Sequence, residues 1–125
     1  MSTPSSDRIR WIEHKGKRIL LHDFSHITNP FDVLPAVEAS RAIVAVQPKG
    51  SLLALTDVTG SRFNKEIVDA LKSLANHNKP FVKAGAVVGL SGLQRVVYVA
   101  ITQFTGRRLP TFETAEQAMD WLVEQ

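Results

Sequence analysis

The chain contains no cysteine, which removes disulfides, thiol catalysis, iron–sulfur ligation and every cysteine-bearing zinc site at once. It also lacks a long apolar run. Glu38 and Arg41 interrupt the longest candidate, Val33 to Val46, so no segment reaches spanning length and membrane insertion is not expected. Met1 to Ser6 is polar with no apolar centre, which argues against a signal peptide or an anchor and sets a cytoplasmic location as the expectation. Neither sign of charge dominates, since 15 Lys and Arg against 12 Asp and Glu leave a net +3. The cations at Arg8, Arg10, Lys15, Lys17, Arg18 and Arg107-Arg108 are interspersed with acids, and cations just after a helix are what the helix dipole favours. A solvated surface is therefore expected rather than a nucleic-acid partner.

What is present describes one ordinary domain. At 125 residues, with 44% apolar and 22% charged residues, the chain can bury one sizeable core and is too short for two. The expected organisation is a disordered tail over residues 1–7 and a single α/β domain over residues 8–124. No repeat of solenoid length and no low-complexity tract interrupts it.

Periodicity places the elements. Arg8 to Glu13 alternates Ile9 and Trp11 with Arg8 and Arg10, His14 to Lys17 makes a turn, and Arg18 to His22 continues extended, which is a β-hairpin. Asp32 is expected to cap a helix running to about Val46, with Pro35 in its first turn. Ser51 to Thr56 is short and almost all apolar, as a strand covered on both faces should be. Asn64 caps a second helix bearing Ile67, Leu71, Leu74 and Ala75 on one face, and Phe81 to Val88 supplies another strand. Ser91 is the expected N-cap of a third helix whose Leu93, Val96, Val97, Ala100, Ile101 and Phe104 form an apolar stripe before Gly106 stops it. Leu109 to Phe112 reads as a short strand, and Thr114 with Gln117 forms a capping box for a last helix carrying Ala118, Trp121 and Leu122. The order is ββαβαβαβα, a mixed sheet of about four to five strands backed by helices.

Twice an apolar strand runs into a small, hydroxyl- and glycine-rich loop with a helix immediately after it: Thr56 to Ser61 and Gly89 to Gly92. At the carboxyl ends of parallel strands such loops gather, and helix N-termini there offer free N–H groups to anions. Asp57, Thr59, Gly60 and Ser61 are the candidate regulated surface, because phosphorylation of a hydroxyl there would place close to two negative charges where a partner can read them. Gly89, Ser91 and Gly92 are the candidate anion- or ligand-binding loop. Their spacing, with Gly85, matches neither a dinucleotide fingerprint nor a phosphate loop. His22-Asp23-Phe24-Ser25-His26 holds two histidines four apart, but His22 ends a strand and Pro30 follows too soon for the helix a metal pair would need. His22 is read as a polar exit from strand to loop. The adjacency of Ser25, His22 and Asp23 is no evidence of a triad, because triads are assembled from distant segments. No metal and no cofactor is expected.

The ββαβαβαβα order, the segment Leu52 to Gly60, the strand Lys83 to Gly89 and the closing Phe112 to Leu122 together resemble the SpoIIAA-like proteins of the STAS superfamily. The resemblance covers about Arg8 to Val123. It implies a sheet backed by helices, a fold related to the lipid-transfer SEC14 domain, and no enzymatic activity. In the anti-sigma-factor antagonists of that superfamily a serine in an Asp-Ser-Ser-Gly-like sequence is phosphorylated to control partner binding. Thr59 is the matching position, with Asp57 before it and Gly60 after. The chain departs from the pattern where Val58 replaces the first hydroxyl, Ser61 lies beyond the glycine, and Arg62-Phe63 follows.

Three readings follow. The first is a non-catalytic STAS-like regulatory module of bacterial type that binds a protein partner and forms a homodimer. The second is a SEC14-like binder of a small apolar or anionic ligand beneath the third helix, with Val96, Tyr98 or Phe104 near the pocket and Ser91 holding a polar head. An enzyme ranks third, because no base, nucleophile or metal set converges.

Overall fold

The computed structural model describes residues 6–106 and 109–125, without the side chains of Leu93 and Phe104. Met1 to Ser5, the Arg107-Arg108 pair and the roles expected of Leu93 and Phe104 lie outside the described residues. The elements are β1 (Ile9–His14), β2 (Lys17–Asp23), α1 (Pro30–Ala45), β3 (Leu52–Asp57), α2 (Lys65–Asn78), β4 (Val82–Val88), α3 (Leu93–Thr105), β5 (Thr111–Phe112) and α4 (Ala115–Val123). They form one five-stranded sheet in the order β1-β2-β3-β4-β5, with β1 antiparallel to β2 and every later neighbour parallel.

The hairpin turns on two residues, Lys15 and Gly16, with φ of 50° and 82°. Positive φ at both is the type I′ geometry whose twist matches a tight hairpin, so His14 and Lys17 pair as strand residues. Helix α1 starts earlier than Asp32. Asn29 is its N-cap in an extended conformation, Pro30 occupies the first helical position, and Asn29 Nδ2 donates to Asp32 Oδ2 at 3.0 Å. Proline at that first position gives up an N–H that has no helical partner, and it holds the preceding residue extended. Pro35 then falls in the second turn, where it deprives the Phe31 carbonyl of its helical donor. Phe31 is 85% exposed, so water reaches that end of the helix. Asn64 Oδ1 accepts from Ile67 N at 2.9 Å, and Thr114 and Gln117 complete the capping box of α4 as the sequence leads one to expect.

Handedness decides the layers. The parallel strands β2 to β5 advance in one direction across the sheet, so right-handed crossovers place α1, α2 and α3 on the same face. Leu20, Leu52 and Val87 meet Val33, Ala36, Ile67 and Leu74 there. Helix α4 follows the last strand and is not a crossover, so it is free to close the opposite face, where Ala118 and Leu122 pack on Ile19, Leu53, Leu55, Ala86 and Val88. In β3 the alternation therefore buries Leu52 and Ala54 toward one layer and Leu53 and Leu55 toward the other. Each fully buried leucine contributes about 1.5–3 kcal/mol from water exclusion.

Helix α3 corrects the expected stripe. Val96 is 67% exposed and Val99 48%, while Gln94 and Thr105 are buried. Apolar residues occur nearly all round this helix, so spacing alone does not select its inner face. Polar bonds that tie its ends to neighbouring segments select it instead: the Gln94 side chain reaches the β3–α2 loop at one end, and the Thr105 backbone carbonyl at the other accepts from Lys79 Nζ at 2.9 Å.

Candidate functional site

The loops after β2, β3 and β4 lie side by side at the carboxyl edge of the sheet. Strand register aligns Asp23 with Asp57 and Asp57 with Val88, so three chains leave the sheet at one level. Phe24 N donates to the Asp57 carbonyl at 2.8 Å, His26 N to the Thr59 carbonyl at 2.8 Å, and Val58 N to the Val88 carbonyl at 3.0 Å.

Asp57 Oδ1 accepts from Thr59 N at 2.9 Å and from Thr59 Oγ1 at 2.6 Å, an Asx turn that leaves Thr59 exposed. Gly60 has φ 69°, and a Cβ there would lie 2.5 Å from His26 Nδ1. Gly89 has φ 86°, and a Cβ there would lie 2.2 Å from Thr59 Oγ1 and 2.5 Å from Thr59 N. The two glycine-bearing loops therefore touch, and Gly89 is what allows Thr59 to settle against the neighbouring loop.

Ser61 does not belong to that exposed surface. It is only 6% exposed, its hydroxyl donates to the Phe24 carbonyl, and Ile27 N donates to its oxygen at 3.3 Å. It staples the β3–α2 loop to the β2–α1 loop, a structural task incompatible with carrying a phosphate in place. Ser91 likewise is not the cap of α3. Gly92 occupies that position with φ 51° and no side-chain cap, while Gln94 Oε1 accepts from Ser91 N at 3.1 Å. Gln94 Nε2 donates to the carbonyls of Val58 at 3.1 Å and Ser61 at 2.5 Å. The long amide outcompetes the serine hydroxyl because it serves two loops at once.

Sequence reasoning missed a twin of the Asp57 turn. Asp23 Oδ1 accepts from Ser25 N at 3.1 Å and Ser25 Oγ at 2.5 Å, and His26 follows with φ 57° as Gly60 does with 69°. The signal in the sequence is Asp-Phe-Ser-His against Asp-Val-Thr-Gly, each ending an apolar strand. Burial pushes the Asp23 carboxyl up, but the hydrogen bonds from Ser25 and the charges of Arg8 and Arg10 outweigh it and hold the group below its ordinary value. Arg8 Nη1 also donates to the carbonyls of Asp23 at 3.0 Å and Ser25 at 2.8 Å.

His22 is not a polar exit from the strand. It is 3% exposed, shares the helix-facing side of β2 with Leu20, and its Nε2 lies 2.7 Å from Ser40 Oγ. Asn78 Nδ2 donates to the same hydroxyl at 3.3 Å, so a small polar cluster joins β2, α1 and α2 inside the core. The period-two alternation from Leu20 would have placed it there. Among the described residues no group of three or more His, Cys, Asp or Glu is arranged to hold a metal ion.

A partly open cavity of about 100 Å³ lies between the sheet, α2 and α3. Its floor includes Ala54, Thr56 and Gly85, and its walls Leu71, Tyr98 and Ile101. Phe24, Val58 and Leu90 from the three loops also line it, so the carboxyl-edge loops border the space. Of the pocket residues expected from the sequence, Tyr98 lines the cavity, Val96 points to solvent and Ser91 is absent from the lining.

No protein-family model matches the sequence, and no curated protein matches it. Among solved structures, an uncharacterised protein of the DUF3478 family from Shewanella loihica PV-4, described as having a SpoIIAA-like fold, superimposes with a TM-score of 0.68. The match covers 91% of each chain at 20% sequence identity. The chain thus has a SpoIIAA-like α/β fold.

Proposed function

Proceeding from the SpoIIAA-like fold, we propose that this protein is a non-catalytic, cytoplasmic STAS-like module that acts by binding, and that its ligand site is the cavity between the sheet and helices α2 and α3. The observation that carries the reading is the cavity itself, an apolar space of about 100 Å³ bordered by the same three loops that form the carboxyl edge. Interiors are otherwise close-packed, and an apolar concavity with few convergent polar groups is the ordinary form of a small-molecule site. Because Phe24, Val58 and Leu90 line it, a ligand would press directly on the loops bearing Ser25, Thr59 and Ser91. Occupancy is thereby read at a surface that also carries exposed Phe31 and Leu34 at the start of α1, suited to a protein partner or a second copy of the chain.

The mass of the protein purified gently from its host tests this. Extra mass present under native conditions and lost on denaturation supports a bound ligand, and its absence over repeated preparations counts against one. A second reading, a phosphorylation switch, is favoured by the exposure of Thr59 beside the stapled Ser61. Mass matching one phosphate that survives denaturation and maps to Thr59 would support it. Equal partner binding by Thr59→Ala and Thr59→Glu would remove it.

No helix among the described residues is long and apolar enough to cross a membrane.

A further inference from the structure

Resting on the cavity as the ligand site, we infer that it takes an uncharged molecule no larger than about one six-membered ring, carrying one hydrogen-bonding group that docks on the Thr56 hydroxyl. The size follows from volume. The space of about 100 Å³ is smaller than the engineered apolar cavity of roughly 150 Å³ that accepts benzene. A ring with one substituent fills it only by reaching into its open side, and a long acyl chain would leave most of its length outside.

The charge follows from the lining. Among the described residues no Asp, Glu, Lys or Arg lines it, and the His22 ring that does is engaged with Ser40, so an ionised ligand would lose its hydration without a carboxylate, ammonium or guanidinium to replace it. The polar end follows by accounting for the hydrogen-bonding groups that face the space. His22 Nε2 is engaged with Ser40, and Asn78 with Ser40 and His77. Thr102 Oγ1 donates to the Val99 carbonyl at 2.9 Å, and the Tyr98 hydroxyl has the Leu109 backbone as its polar neighbour. Thr56 is different. It lies half-buried on the central strand beside His22 in register, lines the cavity, and its hydroxyl has no side-chain hydrogen bond among the described residues. A hydroxyl both donates and accepts, so an alcohol, amide or ketone would satisfy it.

A matched series of one-ring probes tests the inference on the full chain: toluene, benzyl alcohol, benzoate and benzylammonium, with hexadecanoate as the long-chain arm. Binding is followed through the backbone amide signals of Ala54, Thr56 and Gly85. Benzyl alcohol is expected to bind about fivefold more tightly than toluene, the worth of one net hydrogen bond. Benzoate and benzylammonium should bind about 100-fold more weakly or not at all. In Thr56→Val the preference for the alcohol over toluene should vanish while toluene still binds, and Thr56→Ser should retain it. Ala54→Leu, which fills the floor, should abolish every response.

Benzoate or hexadecanoate binding as tightly as benzyl alcohol, or Thr56→Val keeping the alcohol preference, would overturn the ligand class and leave the cavity as a site. If no probe moves these amides, the cavity is not a ligand site and both readings fall together.

Discussion

Gly89→Ala isolates the contact between the two glycine-bearing loops. The substitution adds one methyl group to a backbone with φ 86°, and that methyl would meet Thr59 Oγ1 at 2.2 Å and Thr59 N at 2.5 Å. The left-handed conformation costs an alanine about 1–2 kcal/mol. The overlap is with backbone as well as side chain, so it cannot be relieved by a rotamer change alone, and overpacking of that kind costs about 1–3 kcal/mol. The sum, about 2–5 kcal/mol, is a large part of the 5–15 kcal/mol by which a typical domain is stable. Gly16→Ala is the internal control. It also has positive φ, at 82°, but nothing lies within 4 Å of the added methyl, so only the conformational cost applies. For a chain of this length each kcal/mol lowers Tm by roughly 3–5 °C. Gly89→Ala should therefore melt several degrees below Gly16→Ala and shift the urea midpoint in proportion, with an unchanged m-value. Equal destabilisation of the two variants would refute the claim that the loops are in contact through Gly89.

Ser61→Ala leaves the Phe24 carbonyl and the Ile27 N–H without their shared partner and should cost about 1–3 kcal/mol in urea unfolding. Ser61→Glu should fail to give a native circular dichroism spectrum, whereas exposed Thr59→Glu should give one. Leu122→Ala, at a side chain with no exposure, should cost about 2–5 kcal/mol by chemical denaturation and loosen α4 first, seen as faster amide exchange over Ala115 to Val123. Acid should weaken the fold through Asp23 and Asp120. The hydrogen bonds from His14 and Lys15 hold the Asp120 carboxyl below its ordinary value, and the Ser25 bonds with Arg8 and Arg10 overcome burial to do the same for Asp23. A carboxyl whose folded value is depressed stabilises above its unfolded value, near 4, and that contribution fades as pH falls through the folded value. Melting temperature should therefore fall on acidification below about pH 4, less steeply in Asp23→Asn and Asp120→Asn; parallel curves for wild type and both variants would contradict the assignment.

Local chemistry made much of the architecture legible in advance. Alternation and a two-residue turn determine the hairpin, and unbroken apolar character determines the doubly buried β3. Caps at Asn64 and Thr114 start α2 and α4 because those bonds close within three residues, and Gly106 ends α3 in the left-handed conformation its sequence position suggests. With the element order in hand, the handedness of crossovers leaves little freedom for α1, α2 and α3.

Everything that depends on neighbours along the chain is written in the residues alone: the elements, their order and the turn-forming character of the loops. Tertiary structure decided which of two nearby hydroxyls faces water, Thr59 or Ser61, because that turns on the Phe24 carbonyl 37 residues away. It gave the start of α3 to Gln94 rather than Ser91, since only the longer side chain reaches Val58 and Ser61. It buried His22 beside Ser40 and Asn78, put α4 alone on the far face, and left a cavity where α2 and α3 meet the sheet. The physical reason is common to all of these: competing partners for a polar group, or for a volume of space, are compared only once distant segments have been brought together.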